Sequence, residues 1–330
     1  MITGTTRRWQ TELQQAVTDP AELLSMLALD PGLLDAAHTA AGLFPLRVPR
    51  AFVARMRPGD RHDPLLRQVL PIDAETTLAP GFTADPVGDI ASAARPGLLH
   101  KYHGRVLLVA TGACAVNCRY CFRRHFPYAE ENPRSDHWRD ALDYICGDET
   151  ISEVILSGGD PLSLTDRRLA ELAAAIAGIP HVRRLRIHTR QPIVLPSRID
   201  QTFLDWFAPL PLKKIVVVHV NHANEIDTAV GAAFAALKDA GATLFNQSVL
   251  LRGVNDSTAS LAALSETLFA AAVIPYYLHL LDRVAGAAHF EVPESRALAL
   301  HRELRNRLPG YLVPRLVREQ AGAPSKLPVF

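Results

Sequence analysis

The sequence predicts an α/β fold. Its centre is an open parallel sheet of six strands with interposed helices, a partial (β/α)6 barrel, preceded by a helical extension and followed by a short tail that folds back. Three observations predict it. Apolar, β-branched runs recur through the middle of the chain, alanine-rich segments of helical period separate them, and short proline-punctuated helices fill the first ninety-odd residues. Strands that alternate with helices mean βαβ units and a parallel sheet. Six repeats suit an open barrel better than the closed eight-fold form, and in either case sites gather at the carboxyl ends of the strands.

Near the N-terminus, Asp19-Pro20 ahead of Ala21-Glu22-Leu23-Leu24 supplies an N-cap and a proline at the first helical position. Residues 31–43 can form a second short helix, and 57–88, rich in Pro, Asp and Gly, read as a connector. The texture changes at Arg105. Strands are expected at 106–110, 154–156, 185–188, 215–220, 243–251 and 274–280, with helices at 166–177, 228–240 and 258–272 between them. The chain accordingly divides into 1–95 for the extension, 96–310 for the barrel and 311–330 for the tail.

Composition narrows the function. Of 330 residues, 48% are hydrophobic and 21% charged, which excludes a disordered chain and allows a sizeable core. Lys plus Arg number 35 against 34 Asp plus Glu, a net charge of +1 that argues against a dedicated nucleic-acid binder. No apolar run approaches the roughly 18 residues of a membrane span, and the N-terminus turns polar at once, without a signal core. A cytoplasmic protein with no nucleic-acid or membrane partner is expected.

Three of the four cysteines fall within eight positions, Cys114-Ala-Val-Asn-Cys118-Arg-Tyr-Cys121, directly after the strand at 106–110. In a reducing compartment such clustering means metal or redox chemistry rather than a disulfide framework. Three thiolates this close suit three irons of a [4Fe–4S] cluster, leaving the fourth iron open for chemistry. A zinc site completed by a distant Cys or His, such as Cys146, is the alternative, although zinc knuckles usually pair their cysteines as CxxC. After the second strand, Ser157-Gly158-Gly159-Asp160 permits close backbone approach to a ligand, with an acid able to meet an ammonium. Lysine is confined to Lys101, Lys213, Lys214, Lys238 and Lys326. Lys326, between Pro324 and Pro328 and followed by Leu327, Val329 and Phe330, is either a solvated tail residue or the nucleophile of a folded-back segment. In the second case it could form a Schiff base with pyridoxal phosphate.

The cysteine spacing resembles the radical S-adenosylmethionine superfamily, and the whole set resembles the lysine 2,3-aminomutase family over roughly residues 95–328. The supporting stretches are His100-Lys-Tyr-His-Gly-Arg105, Phe122-Arg123-Arg124, Leu156-Ser-Gly-Gly-Asp160 and His188-Thr-Arg-Gln-Pro-Ile-Val-Leu-Pro196. To these are added His219-Val-Asn-His-Ala-Asn-Glu225, Gln247-Ser-Val-Leu-Leu-Arg-Gly-Val-Asn-Asp256, Pro275-Tyr-Tyr277 and Lys326. The resemblance implies a [4Fe–4S] cluster on Cys114, Cys118 and Cys121, S-adenosylmethionine contacted by Gly158, Gly159 and Asp160, and pyridoxal phosphate on Lys326. It places Lys101, Arg105 and Arg190 near the cofactor phosphate. Arg123 would clamp the α-carboxylate of L-lysine, as a guanidinium fork suits, and Asp256 and Glu319 would face the ε-ammonium. Read from the residues alone, Arg123-Arg124 is also compatible with an ordinary basic turn, and Asp256 with a helix N-cap.

The resemblance further implies an isomerase that makes (R)-β-lysine by 5′-deoxyadenosyl radical chemistry. Its expected partners are an external electron donor such as flavodoxin or ferredoxin, and elongation factor P with its lysyl-transfer enzyme. The short form with Pro-Ser-Lys is similar to the branch that supplies β-lysine to that factor, and it lacks the C-terminal cysteines of clostridial-type members, so no zinc site is expected. A glutamate 2,3-aminomutase and a non-catalytic iron–sulfur carrier are the competing readings. Acidic groups at 256 and 319 speak against the first, since a second substrate carboxylate would prefer a cation there.

Overall fold

In a computed structural model, the chain is described over residues 8–128 and 137–330. The extension carries α1 (Arg8–Gln14), α2 (Pro20–Met26), α3 (Leu34–Leu43) and α4 (Arg50–Val53). Asp19 caps α2 by accepting from the Ala21 N–H, and Pro20 opens the helix, as the sequence leads one to expect. The stretch 31–43 splits instead into a 3-10 turn (Pro31–Leu33) and α3, because Asp30 caps the first turn separately. From 57 to 88 the described residues form isolated 3-10 turns and one β-bridge, Thr83 to Val284.

Ten strands form one sheet in sequence order. They are β1 (Ala93–Arg95), β2 (Leu98–Tyr102), β3 (Arg105–Thr111), β4 (Glu153–Gly158), β5 (Arg184–Thr189), β6 (Lys213–Val218), β7 (Ala242–Val249), β8 (Ile274–His279), β9 (Arg315–Arg318) and β10 (Leu327–Pro328). The run β3 to β9 is parallel, while β1, β2 and β10 pair antiparallel at its two margins. The six expected strands are β3 to β8. A seventh parallel strand, β9, is hidden in the sequence because Arg-Leu-Val-Arg offers only two apolar residues between charges.

The crossovers carry α5 (His137–Cys146), α6 (Asp166–Ala177), α7 (Gln191–Val194), α8 (Gln201–Phe207), α9 (Thr228–Asp239), α10 (Thr258–Ala270) and α11 (Glu294–Arg307). Asp227 and Ser257 cap α9 and α10 through their side chains. Successive strand residues face opposite sides of a sheet. Val106, Leu108, Val154, Leu156, Leu185, Ile187, Val216, Val218 and Leu244 therefore join one apolar cluster with the helices. Their alternates, among them Ser157, Arg186, His188, His219 and Gln247, fall on the concave face. The same cluster includes Trp9, Leu23, Leu24, Phe52 and Leu66, so the extension and the barrel share one core.

Candidate active site

The cysteine loop leaves β3 and is fastened to the extension rather than to the barrel alone. Arg119, with no side-chain exposure, donates from Nε to Glu75 Oε1 at 2.8 Å and from Nη1 to the Phe44 carbonyl at 2.7 Å. Arg124 reaches the same carboxylate at 2.9 Å. Two backbone bonds complete the attachment, Asn117 N–H to the Arg47 carbonyl and Arg119 N–H to the Gln68 carbonyl, each 2.9 Å. Burial, and then the neighbouring thiols, push the Cys114 thiol well up and the Cys121 thiol up to about 11. Cys118 and Cys121 both act on Cys114, and Cys118 acts on Cys121, so the three sulfurs are near neighbours. A bound cationic metal reverses that logic and holds thiolates.

The glycine turn after β4 lies against this loop. Gly158 has φ +121°, and a Cβ on it would stand 2.4 Å from the Thr111 carbonyl oxygen. A Cβ on Gly159 would stand 2.5 Å from that of Ala113. The Gly159 and Asp160 N–H groups donate to the Thr111 and Ala113 carbonyls at 2.7 and 2.8 Å. The paired glycines thus admit the backbone of the cysteine loop. Asp160 is buried, and its carboxylate accepts from Thr189 Oγ1 and from the N–H groups of Leu162, Arg190 and Gln191. It ties the ends of β4 and β5 together, and its oxygens are engaged within the protein rather than left for an ammonium.

Lys326 enters from the other margin. The tail folds back as β10, with Leu327 opposite Arg318 and Val329 buried beside Leu300, Leu304 and Leu316. Lys326 Nζ donates to Glu319 Oε2 at 2.6 Å and stands 5.9 Å from the centre of the Tyr277 ring. Tyr102 donates its hydroxyl to the other oxygen of Glu319, and the Arg105 guanidinium covers the Tyr102 ring at 4.6 Å. Lys101 pairs with Asp89 at 2.6 Å, and Arg123 holds that carboxylate's second oxygen at 2.7 Å while reaching Ser157 Oγ at 3.1 Å. His188 and His219 face each other with ring centres 6.1 Å apart, and His219 Nε2 lies 3.0 Å from Gln247 Nε2. Burial, reinforced by nearby cations, depresses all three imidazoles, His188, His219 and His279, and keeps them neutral. Lys326 is among those cations in each case, and Arg123 acts on the first two. The charges of Lys326 and of the cysteine-loop arginine thus both reach the His188 and His219 rings.

Residues 108–264 match the Radical SAM superfamily. The L-lysine 2,3-aminomutase of Escherichia coli (strain K12) is 52% identical over 322 residues, 97% of this chain and 94% of that protein. The L-lysine 2,3-aminomutase of Haemophilus influenzae is 47% identical over 320 residues, 97% of this chain and 95% of that protein. The chain belongs to the L-lysine 2,3-aminomutase family. Among solved structures, a radical SAM methyltransferase from Sphaerobacter thermophilus aligns at 19% identity with a TM-score of 0.45, covering 67% of this chain and 68% of that one.

Enzymes of this family use a [4Fe–4S] cluster, S-adenosylmethionine and pyridoxal phosphate. The residues present fit these groups. Among the described residues, no three of His, Cys, Asp and Glu lie close enough to hold one metal ion. The three thiols of the loop suit instead a multi-iron group that takes one thiolate per iron. On the Lys326 side, the Nε2 atoms of His188 and His279 are buried with no hydrogen-bond partner, unmet polar positions that a polar cofactor would satisfy.

Two expected aminomutase positions make other contacts. Arg190 does not gather with Lys101 and Arg105: its Nη1 contacts Cys118 Sγ at 2.8 Å and its Nη2 bonds Gln68 and Glu225. Asp256 accepts from the Gly253 N–H at 2.9 Å through Oδ1, a contact within its own loop. A further acid, close enough to feel the charges of Lys326 and Glu319, is Asp282, three residues beyond β8 and raised by burial to about 7. Sequence reasoning passes over Asp282 and Asp89. The signal available for Asp282 is its place just past a strand's carboxyl end, where sites of this fold collect.

Proposed function

We propose that this chain is an L-lysine 2,3-aminomutase, an isomerase that moves the amino group of L-lysine from carbon 2 to carbon 3 and yields (R)-β-lysine. The observation that carries the substrate is the acid at Lys326: Glu319 is in contact with its ammonium, and Asp282 is near enough to feel the charges of both. Such acids suit the distal ammonium of lysine and repel the second carboxylate of glutamate, which would sit better on a cation. Cys114, Cys118 and Cys121 would hold the iron–sulfur cluster. The Gly158–Asp160 turn would shape the S-adenosylmethionine site through its backbone, and Lys326 would hold pyridoxal phosphate with Lys101 and Arg105 near the phosphate. Arg123, whose guanidinium already grips a carboxylate, would take the substrate α-carboxylate.

The cofactors supply the chemistry that side chains lack, namely removal of hydrogen from an unactivated carbon and a conjugated path for nitrogen migration. The protein orients lysine, excludes water with its apolar wall and keeps His188, His219 and His279 neutral, so they offer hydrogen bonds without competing for the carboxylates. We place the enzyme in the cytoplasm, with a flavodoxin or ferredoxin as reductant and elongation factor P, through its lysyl-transfer enzyme, as the consumer of β-lysine. No helix of the described residues is long and apolar enough to cross a membrane.

The test is anaerobic reconstitution with both cofactors, reductant and L-lysine, then chiral derivatisation and mass spectrometry. β-Lysine supports the reading. 5′-Deoxyadenosine without β-lysine would mean another substrate, and neither product in the presence of an intact cluster would overturn it. Lys326→Ala should lose the yellow absorbance of bound pyridoxal phosphate while keeping the cluster spectrum.

A further inference from the structure

We propose that Arg190 sets the reduction potential of the iron–sulfur cluster by donating from Nη1 to the sulfur of Cys118, and that Gln68 of the N-terminal extension holds it in place. The inference rests on reading Cys114, Cys118 and Cys121 as the cluster's ligands. Arg190 is 5% exposed, and its Nη1 lies 2.8 Å from Cys118 Sγ. Its Nη2 is gripped twice, by Gln68 Oε1 at 2.6 Å and Glu225 Oε2 at 2.9 Å. Glu225 is fixed in turn, accepting from the N–H groups of Asn221 and His222 and from Gln68 Nε2. The rings of Phe52 and Tyr120 stand 5.4 and 5.7 Å from the guanidinium carbon and shield it from water.

Gln68 does two things at once. Its carbonyl takes the Arg119 N–H of the cysteine loop, and its side chain takes Arg190. One residue of the extension therefore fixes both partners of the sulfur contact in register. The electrostatic consequence has a definite sign. Reduction adds one electron to the cluster, and a donor N–H carrying a full positive charge against a ligand sulfur stabilises the more negative state. Glu225 offsets part of that charge from the far side. Arg190 thus raises the potential and Glu225 lowers it.

The experiment is potentiometry, monitored by electron paramagnetic resonance, on the anaerobically reconstituted chain, with iron and sulfide measured per chain. Arg190→Gln keeps a donor but removes the charge. At the wild-type midpoint its reduced-to-oxidised ratio should fall about tenfold, a shift of about 59 mV to more negative values for one electron. Glu225→Gln leaves the cation without its counter-charge and should move the midpoint the opposite way. Unchanged midpoints, or shifts of the same sign in both variants, at full cluster content would overturn the proposal, since a purely structural role predicts no opposition of sign. Should Arg190→Gln fail to hold the cluster, Arg190→Lys takes its place: it keeps the charge and must stay near the wild-type midpoint while Glu225→Gln moves upward. A wild-type chain that binds no cluster would instead defeat the reading of the cysteine loop.

Discussion

The acids around Lys326 separate readings that the sequence leaves together. Asp256 and Glu319 are both acidic residues in motif stretches; Glu319 bonds the lysine, while one oxygen of Asp256 takes the Gly253 N–H. We expect Asp282→Asn to lower kcat/KM for L-lysine roughly ten- to hundredfold, the scale of one hydrogen bond to a charged group. Asp256→Asn should stay within about twofold, since the amide oxygen still accepts from Gly253. Asp282 also has a stability signature. Burial raises it from 3.8 to about 7, so between those values the folded chain holds a proton that the unfolded chain has released. Its contribution is complete below pH 3.8 and is lost as pH rises through about 7. Urea midpoints at pH 5 and pH 8 should show that decline in the wild type, and a smaller one in Asp282→Asn. The cysteines and Lys326 stand out in the sequence because their spacing and neighbours are unusual, while Glu319 is named only through the family resemblance. Asp282 does not stand out, because a lone aspartate beyond a strand looks like any loop residue until the strand's neighbours are known.

The glycine turn and the cysteine loop act as one unit. Gly158 and Gly159 let two backbones pass closer than any side chain allows, and the hydrogen bonds of Gly159 and Asp160 close the contact. Gly159→Ala should cost about 1–3 kcal/mol, as over-packing usually does, and displace the loop that carries Cys114. Lower iron and sulfide per folded chain, with a lower urea midpoint, is the expected result, and cluster content equal to wild type would count against it. Strand and helix identities are readable wherever apolar period and length agree, as in β3 to β8 and α6. The helix α11 is not, because its many charged residues dilute its apolar stripe; the sequence reading also passes over α5, although its two faces differ sharply. The close approach at Gly158 reads in the sequence as room for a ligand, since sequence shows that a glycine is needed but not what comes near it.

At the scale of the whole molecule, the N-terminal extension is a bracket for the active site rather than an appendage. Glu75, with no side-chain exposure, is shared by Arg119 and Arg124 of the cysteine loop. Removing one partner from a buried ionic group leaves charge unbalanced, at a cost of about 3–5 kcal/mol. Glu75→Gln should therefore lower the denaturation midpoint and make the segment before β1 more sensitive to limited proteolysis, with loss of cluster binding as a consequence. An unchanged proteolysis pattern would sink that view. The fold class and the order of the barrel strands are legible from alternation alone. The docking of the extension is not, because it depends on ion pairs between residues more than forty positions apart. The open sheet also has a consequence for life in a crowded cell. A barrel that does not close leaves two lateral edges on which another chain's strand could stack and seed aggregates. Here those edges are β1, three residues long, and β10, two residues long and ending in Pro328, which has no N–H to offer. Strands so short, one of them stopped by proline, give an incoming segment almost nothing to pair with.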